Sequence, residues 1–195
     1  MDEIWTRLET FLKQNAPEVY GSLAPGATEA EIADAEVACG VTFPPDVRQS
    51  YLRHDGQLGD YGNARGGTFI PCCFGLLPLK MVLYRWQTNQ ETLQDLADEM
   101  PDGGEASPGV QPVFLDIAWV PIAKEHSGAD QICLDFNPAT GGRAGQLIEF
   151  RHEADGQQLI APDFRTWLGE IADELESGRL VWNEELTGYC YPEDL

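Results

Sequence analysis

The chain has 195 residues, and 33 aspartates and glutamates against 12 lysines and arginines leave a formal net charge of −21. Apolar residues at 43% and aromatics at 10% supply a core for one globular domain and argue against general disorder. The acidic excess repels phosphate backbones and anionic bilayers, so nucleic-acid and membrane-surface binding are set aside.

The start, Met1-Asp2-Glu3-Ile4-Trp5, lacks the basic and then apolar regions of a secretory signal. No run approaches the ~20 apolar residues of a membrane span. The expectation is a cytoplasmic protein. Five irregularly spaced cysteines, Cys39, Cys72, Cys73, Cys133 and Cys190, do not form a disulfide framework.

Ile4, Trp5, Leu8, Phe11 and Leu12 fall at helical spacing, and Asp2 and Glu3 suit a helix start. Pro17 ends that helix. Thr28-Glu29-Ala30-Glu31 has the capping-box form and opens a second helix, with Ile32, Ala35 and Cys39 as its stripe and Gly40 as its stop. Pro44-Pro45-Asp46 starts a third, which Asp55-Gly56 closes. Residues 56–67 hold five glycines and read as an exposed, mobile loop. Thr68-Phe69-Ile70 reads as a short strand. From Leu79 to Met100 the pattern is helical, with Val82, Trp86, Leu93, Leu96, Ala97 and Met100 on one face. Residues 101–112 form a polar loop.

Trp119–Ala123 is apolar and β-prone. Ile132, Leu134 and Phe136 alternate with Cys133 and Asp135, the period of a half-buried strand. Leu147–Phe150 and Gln158–Ala161 are two more strands. The connections between these strands, with Asp155-Gly156 as a turn signal, are too short for crossover helices, so the strands form an antiparallel meander. Asp163 caps a last helix bearing Phe164, Trp167, Leu168, Ile171 and Leu175, and Gly178 ends it. The tail 180–195, with Val181, Trp182, Leu186, Tyr189 and Tyr191, packs on the body. The fold class is α+β: an antiparallel β-meander flanked by N-terminal helices and a C-terminal helix.

The charge is spread evenly, with net −6 over residues 1–66, −6 over 67–130 and −9 over 131–195. It decorates a folded surface rather than an acidic tail. The plain reading is solubility; the sharper one is a field that steers a basic partner.

Chemical motifs are sparse. Cys72-Cys73 lacks the C-x₂₋₄-C spacing and second pair of a zinc site and reads as small filler beside Phe74. No calcium-loop pattern occurs. His54, His126 and His152 stand outside any nucleophile elbow or cysteine-protease context. His54 suits a helix end, where a cationic imidazole helps the helix dipole. Gly141-Gly142-Arg143-Ala144-Gly145 lies between two strands and does not open a helix, so it is a hairpin loop rather than a phosphate cradle. No catalytic residue, metal site or cofactor is expected.

Several segments in order resemble the SUKH superfamily, in the branch related to the yeast cell-wall glucan synthesis regulator. They are Trp5-x-x-Leu8-Glu9-x-x-Leu12, Ala27-Thr28-Glu29-x-Glu31-Ile32-x-x-Ala35-Glu36, Phe43-Pro44-x-Asp46 and Tyr51-x-x-His54-Asp55-Gly56. Further on come Trp119-x-Pro121-Ile122-Ala123, Gly128-x-Asp130, Leu134-Asp135-x-x-Pro138, Gly145-Gln146-x-Ile148-x-Phe150 and Phe164-x-x-Trp167-Leu168. The resemblance implies an α+β fold without enzymatic activity. Its bacterial members are immunity proteins that neutralise polymorphic toxins, often nucleases. Its yeast relative is a regulator acting through protein contacts, with long flanking segments that this sequence lacks.

The expectation is therefore one SUKH-like domain over 1–195, with an insert at 88–112 and an extension at 180–195. Its expected function is immunity: binding a basic, nuclease-like toxin and occluding its active site. The alternative is a regulatory scaffold, and an enzyme with an unrecognised site is a third possibility. The expected partner surface combines the glycine-rich loop (Asp55, Asp60, Tyr61) with the hairpin rim (Trp119, Asp130). Asp130 and Asp135 have a competing role as caps of loop amides.

Overall fold

The computed structural model describes residues 1–60, 63–95, 104–126, 129–152 and 156–194, with backbone alone at 60, 63 and 194. Helix α1 (Asp2–Asn15) buries Trp5, Leu8 and Leu12, and Glu9 shares their stripe. Pro17 lies just past its end, but it also occupies the first position of a short helix the sequence reading missed, α2 (Pro17–Ser22). The first helical position needs no N–H, so one proline can stop one helix and open the next. In α3 (Glu29–Cys39) the Thr28/Glu31 capping box forms and Gly40 takes the left-handed cap at φ 68°. Helix α4 (Pro45–Arg53) follows, and the buried Trp5 Nε1 donates to Ser50 Oγ at 3.0 Å, joining α1 to α4.

Residues 56–67 are not simply exposed. A small hairpin pairs β1 (Gly59–Asp60) with β2 (Asn63–Ala64), and Gly56, Gln57, Ala64 and Gly67 are buried. The Gln57 amide donates to Ser22 Oγ at 2.9 Å and to the Gly67 carbonyl at 3.1 Å. Gly56 has φ +68°, and a Cβ there would lie 2.4 Å from Pro78 N.

The strand expected at Thr68–Ile70 is absent. Thr68 makes one bridge to Gly188, and Ile70 one to Phe74. The strand lies later, at β3 (Phe74–Leu76). Cys72 and Cys73 adopt φ 58° and 62°, so the chain turns before it can pair. Cys72 is exposed and Cys73 half-buried, so this pair forms a turn and is not core filler. Helix α5 (Leu79–Asp95) follows; Leu96, Ala97 and Met100 of the expected face lie outside the described residues.

The meander forms as expected, with β3 as an added edge. Strands β4 (Trp119–Glu125), β5 (Gln131–Asp135), β6 (Gln146–Phe150) and β7 (Gln158–Ala161) follow in the order β3-β4-β5-β6-β7, all antiparallel. Short connections leave each strand beside its sequence neighbour. On one face Val120, Ile122, Ile132, Leu134 and Leu147 join the large helical core. On the other, Trp119, Cys133, Ile148 and Phe150 join a smaller core with Val110 and Leu115. Helix α6 (Phe164–Ser177) carries its Asp163 cap and ends at the left-handed Gly178. The hairpin β8 (Val181–Asn183) and β9 (Gly188–Cys190), then a 3-10 turn at Pro192–Asp194, complete the order. Tyr189 of β9 packs edge-on to Phe11 and Trp182.

Strand β5 is thus not half-buried: the segment before β4 covers its second face. Asp135 has no solvent exposure. Its Oδ1 accepts from Trp119 Nε1 at 3.2 Å and Asn137 N at 2.9 Å, and its Oδ2 from Gln146 Nε2 at 2.9 Å. Gln146 is fully engaged, donating also to the Gly109 carbonyl and accepting from Arg143 N. Burial pushes the Asp135 carboxyl up, and these three hydrogen bonds pull it back.

Two substitutions test this packing. Gly56→Ala puts a methyl into the Leu77–Pro78 backbone at a positive φ and lowers unfolding free energy by more than about 2 kcal/mol in urea titration. Asp135→Asn turns an amide N–H₂ toward the Gln146 donor, and stability falls by about 1–3 kcal/mol in the same assay.

Candidate functional site

Of the five residues expected to form a partner surface, the three whose side chains are described, Asp55, Trp119 and Asp130, do not form one exposed patch. Asp55 is half-buried, and its Oδ1 accepts from Leu79 N at 2.7 Å, tying the loop to the start of α5. Burial pushes its carboxyl up. The side chain of Asp60 and the whole of Tyr61 lie outside the described residues. Trp119 is a correction: it is 0% exposed and so lies on no accessible rim. Its register partner is Asp135, whose buried carboxylate draws the indole N–H inward. Asp130 is half-buried, and its Oδ1 accepts from His152 N at 2.8 Å, joining two hairpin loops. Asp55 meets α5 at Leu79. Asp130 adjoins Gln131, whose amide pairs with Asn89 of α5. Ten helical residues, about 15 Å, separate these two attachment points.

A cluster that the sequence reading did not assemble lies where α1 meets α4. Glu9, buried within the α1 stripe, accepts from Arg53 Nε at 2.7 Å and lies 3.0 Å from His54 Nε2. His54 Nδ1 is 2.8 Å from the Ala24 carbonyl, so both ring nitrogens face oxygen acceptors. The imidazole packs edge-on to Trp5 at 4.8 Å. His54 therefore closes α4, as its position suggests, and also ties α1 and the α2–α3 connection to it. The missed signal was Glu9 at i+4 from Trp5 and i+1 from Leu8, inside an apolar face.

The other reactive groups are dispersed. His152 packs edge-on to Phe114, and His126 N donates to the Cys73 carbonyl at 3.0 Å. Cys133 is buried and Cys39 nearly so, and burial pushes both thiols up, Cys39 to about 11, away from the reactive thiolate. Among the described residues, no three His, Cys, Asp or Glu side chains are grouped to hold a metal ion. Nor is any described helix long and apolar enough to cross a membrane.

Half of the twelve lysines and arginines form ion pairs among the described residues. Arg7 bonds Asp173 and Glu176 of α6, and Arg48 bonds Glu29 and Glu36 of α3. Arg53, Arg143 and Arg179 pair with Glu9, Asp163 and Glu174.

Arg53, and then His54, hold the Glu9 carboxyl below its ordinary value against the opposing effect of burial. A lowered folded value contributes stability above the ordinary carboxylate range near about 4.3, which is lost as pH falls below it. Glu9→Gln is expected to lower stability at neutral pH by about 1–2 kcal/mol, the lower part of the range because Arg53 is partly in water. Urea titrations across acidic pH should then show a shallower loss in the variant than in the parent.

The sequence profile of the SMI1/KNR4 family (SUKH-1) matches residues 26–170, from the approach to α3 through the first half of α6. The cell wall biosynthesis/cell cycle regulator smi1 of Schizosaccharomyces pombe is 31% identical, over 95% of this chain and 38% of that protein. The cell wall assembly regulator SMI1 of Saccharomyces cerevisiae is 26% identical, over 89% of this chain and 40% of that protein. The glucan synthesis regulatory protein of Neurospora crassa is 24% identical, over 93% of this chain and 39% of that protein. This chain therefore spans about two fifths of the length of these relatives. With the α+β meander, the described packing and a profile that runs across most of the sequence, the chain belongs to the SMI1/KNR4 family (SUKH-1).

Proposed function

We propose that this chain is a regulatory protein-interaction module that acts by contact rather than catalysis; its fungal relatives are named as regulators. The observation that carries this reading is the similarity to the Schizosaccharomyces pombe regulator along 95% of the chain. The dispersal of histidines and cysteines among structural roles supports it, because general acid–base or nucleophilic chemistry needs such groups converging on one cavity. We read the whole of 1–195 as one SUKH-like domain. The Arg7 bridges from α1 to α6 support that reading. The proposed partner is a protein with a basic surface.

Neutralisation of a basic toxin is a second reading, favoured by one observation: a net charge of −21 that a phosphate-binding enzyme would complement.

Affinity capture with the immobilised chain, followed by association kinetics of the recovered partner, tests the first reading. A reproducible protein partner is expected, with an association rate at least tenfold slower at about 0.5 M than at about 0.05 M salt. Recovery of no protein partner overturns it. Rescue of cells by co-expression with a basic toxin domain would install the second reading instead.

A further inference from the structure

The central sheet has two edges, and they are finished differently. At β3, Gln57 N donates to the Leu76 carbonyl at 2.8 Å, Leu76 N donates to Gln57 Oε1 at 3.3 Å, and Ile70 bridges Phe74. That edge is covered. At the opposite edge β7 pairs with β6, and residue 107 engages its start, where Ser107 N donates to the Gln157 carbonyl at 2.9 Å and Ser107 Oγ to Gln158 Oε1 at 3.2 Å. Among the described residues no further strand or bridge covers Leu159–Ala161, and Leu159 is 39% exposed. An uncovered strand edge offers amides and carbonyls to another extended chain.

Beside this edge runs a groove of about 400 Å³ between β7 and α6. Its lining mixes apolar and polar groups: Ile160 from β7, the largely buried Trp167 and Ile171 from α6, Tyr191 from the tail and Pro71 from the approach to β3. Glu170 and Glu174 stand on its rim. Arg179, also on the rim, is paired with Glu174 at 2.5 Å, so Glu170 gives the rim its negative excess.

We infer that the β7 edge and this groove receive an extended segment of a protein partner, carrying apolar and basic residues, by strand addition. The inference rests on the protein-interaction reading above and assigns it a surface. The open edge selects an extended occupant over a helical one, because backbone groups in register with Leu159–Ala161 supply the binding. Alternate side chains of an added strand point to opposite faces, so those on the α6 side enter the groove beside Ile160 and Tyr191. Lysine or arginine beside them meets Glu170. A second copy of this chain fits poorly: it brings another −21 and sets one Glu170 rim against another.

The test uses the full chain and a phage-displayed library of random ten-residue peptides. Selected peptides should be rich in lysine, arginine and apolar residues and poor in acids and proline, which cannot donate along the edge. A synthetic selected peptide should slow amide exchange at Leu159–Ala161 by about tenfold or more. Glu170→Lys, at an exposed position whose thermal midpoint serves as the fold control, should weaken that peptide by about three- to tenfold. The inference is overturned by selection of acidic peptides, by failure to select any, or by a bound peptide that leaves those amides unchanged. If Glu170→Lys recovers the same protein partner with unchanged affinity, the groove assignment falls and the protein-interaction reading stands. If the parent chain recovers no protein partner, that reading falls and takes this one with it.

Discussion

A carboxylate cut off from water persists only if its surroundings supply the hydrogen bonds water would have made. Asp135 imposes that condition at the middle strand of the sheet. Meeting it fixes the Trp119 indole, the turn at Asn137 and the Gln146 amide. Gln146 in turn holds the Gly109 carbonyl, which also accepts from Ala139 N. Gly109 and Gly142 approach so closely that a Cβ at Gly142 would lie 2.2 Å from the Gly109 carbonyl. One buried acid thus aligns two strands, a hairpin turn and the segment that covers the second face. A one-residue slip of β5 would turn Asp135 into the helical core, where those donors are absent.

A second constraint is electrostatic. With 33 acids and 12 bases, each cation spent inside the molecule leaves the outside more uniformly negative. Arg7, Arg48 and Arg53 are spent on helix junctions, joining α1 to α6, α4 to α3 and α4 to α1. Exposed pairs of this kind contribute little stability individually. Their larger consequence is the field left behind, which an approaching partner meets before any contact forms.

The elements with strong periodicity or caps were legible in the sequence: α1, α3, α6 and the four strands from Trp119 to Ala161. Each has a local cause, such as the Thr28 capping box or the Asp163 cap. What stayed hidden had causes remote in sequence. Strand β3 was displaced from 68–70 because Cys72 and Cys73 take left-handed backbone conformations, which cysteine does not advertise. The five glycines of residues 56–67 read as an exposed loop, yet the Gln57 amide is satisfied by Ser22 and Gly67 in the interior. The candidate surface suffered most. Trp119 reads from the sequence as part of a hairpin rim, while the acid that holds its indole inside lies sixteen residues away. Asp55 and Asp130 were chosen as exposed acids, while their acceptors' roles at Leu79 N and His152 N depend on tertiary contacts. The alternative reading of Asp130 as a loop cap describes its place better.

The open edge and the acidic field bear on each other. An uncovered strand beside a partly apolar groove is a hazard in a neutral protein, because two copies can pair edge to edge. Here the groove's own rim carries Glu170, and the whole chain carries −21, so like edges repel. The same repulsion turns away acidic strangers of every kind. The proposed occupant of β7 is a chain that brings positive charge, with apolar residues beside Ile160 and Tyr191. In the proposed strand addition, charge that reads first as solubility also sets selectivity, by leaving one class of neighbour for which approach is downhill.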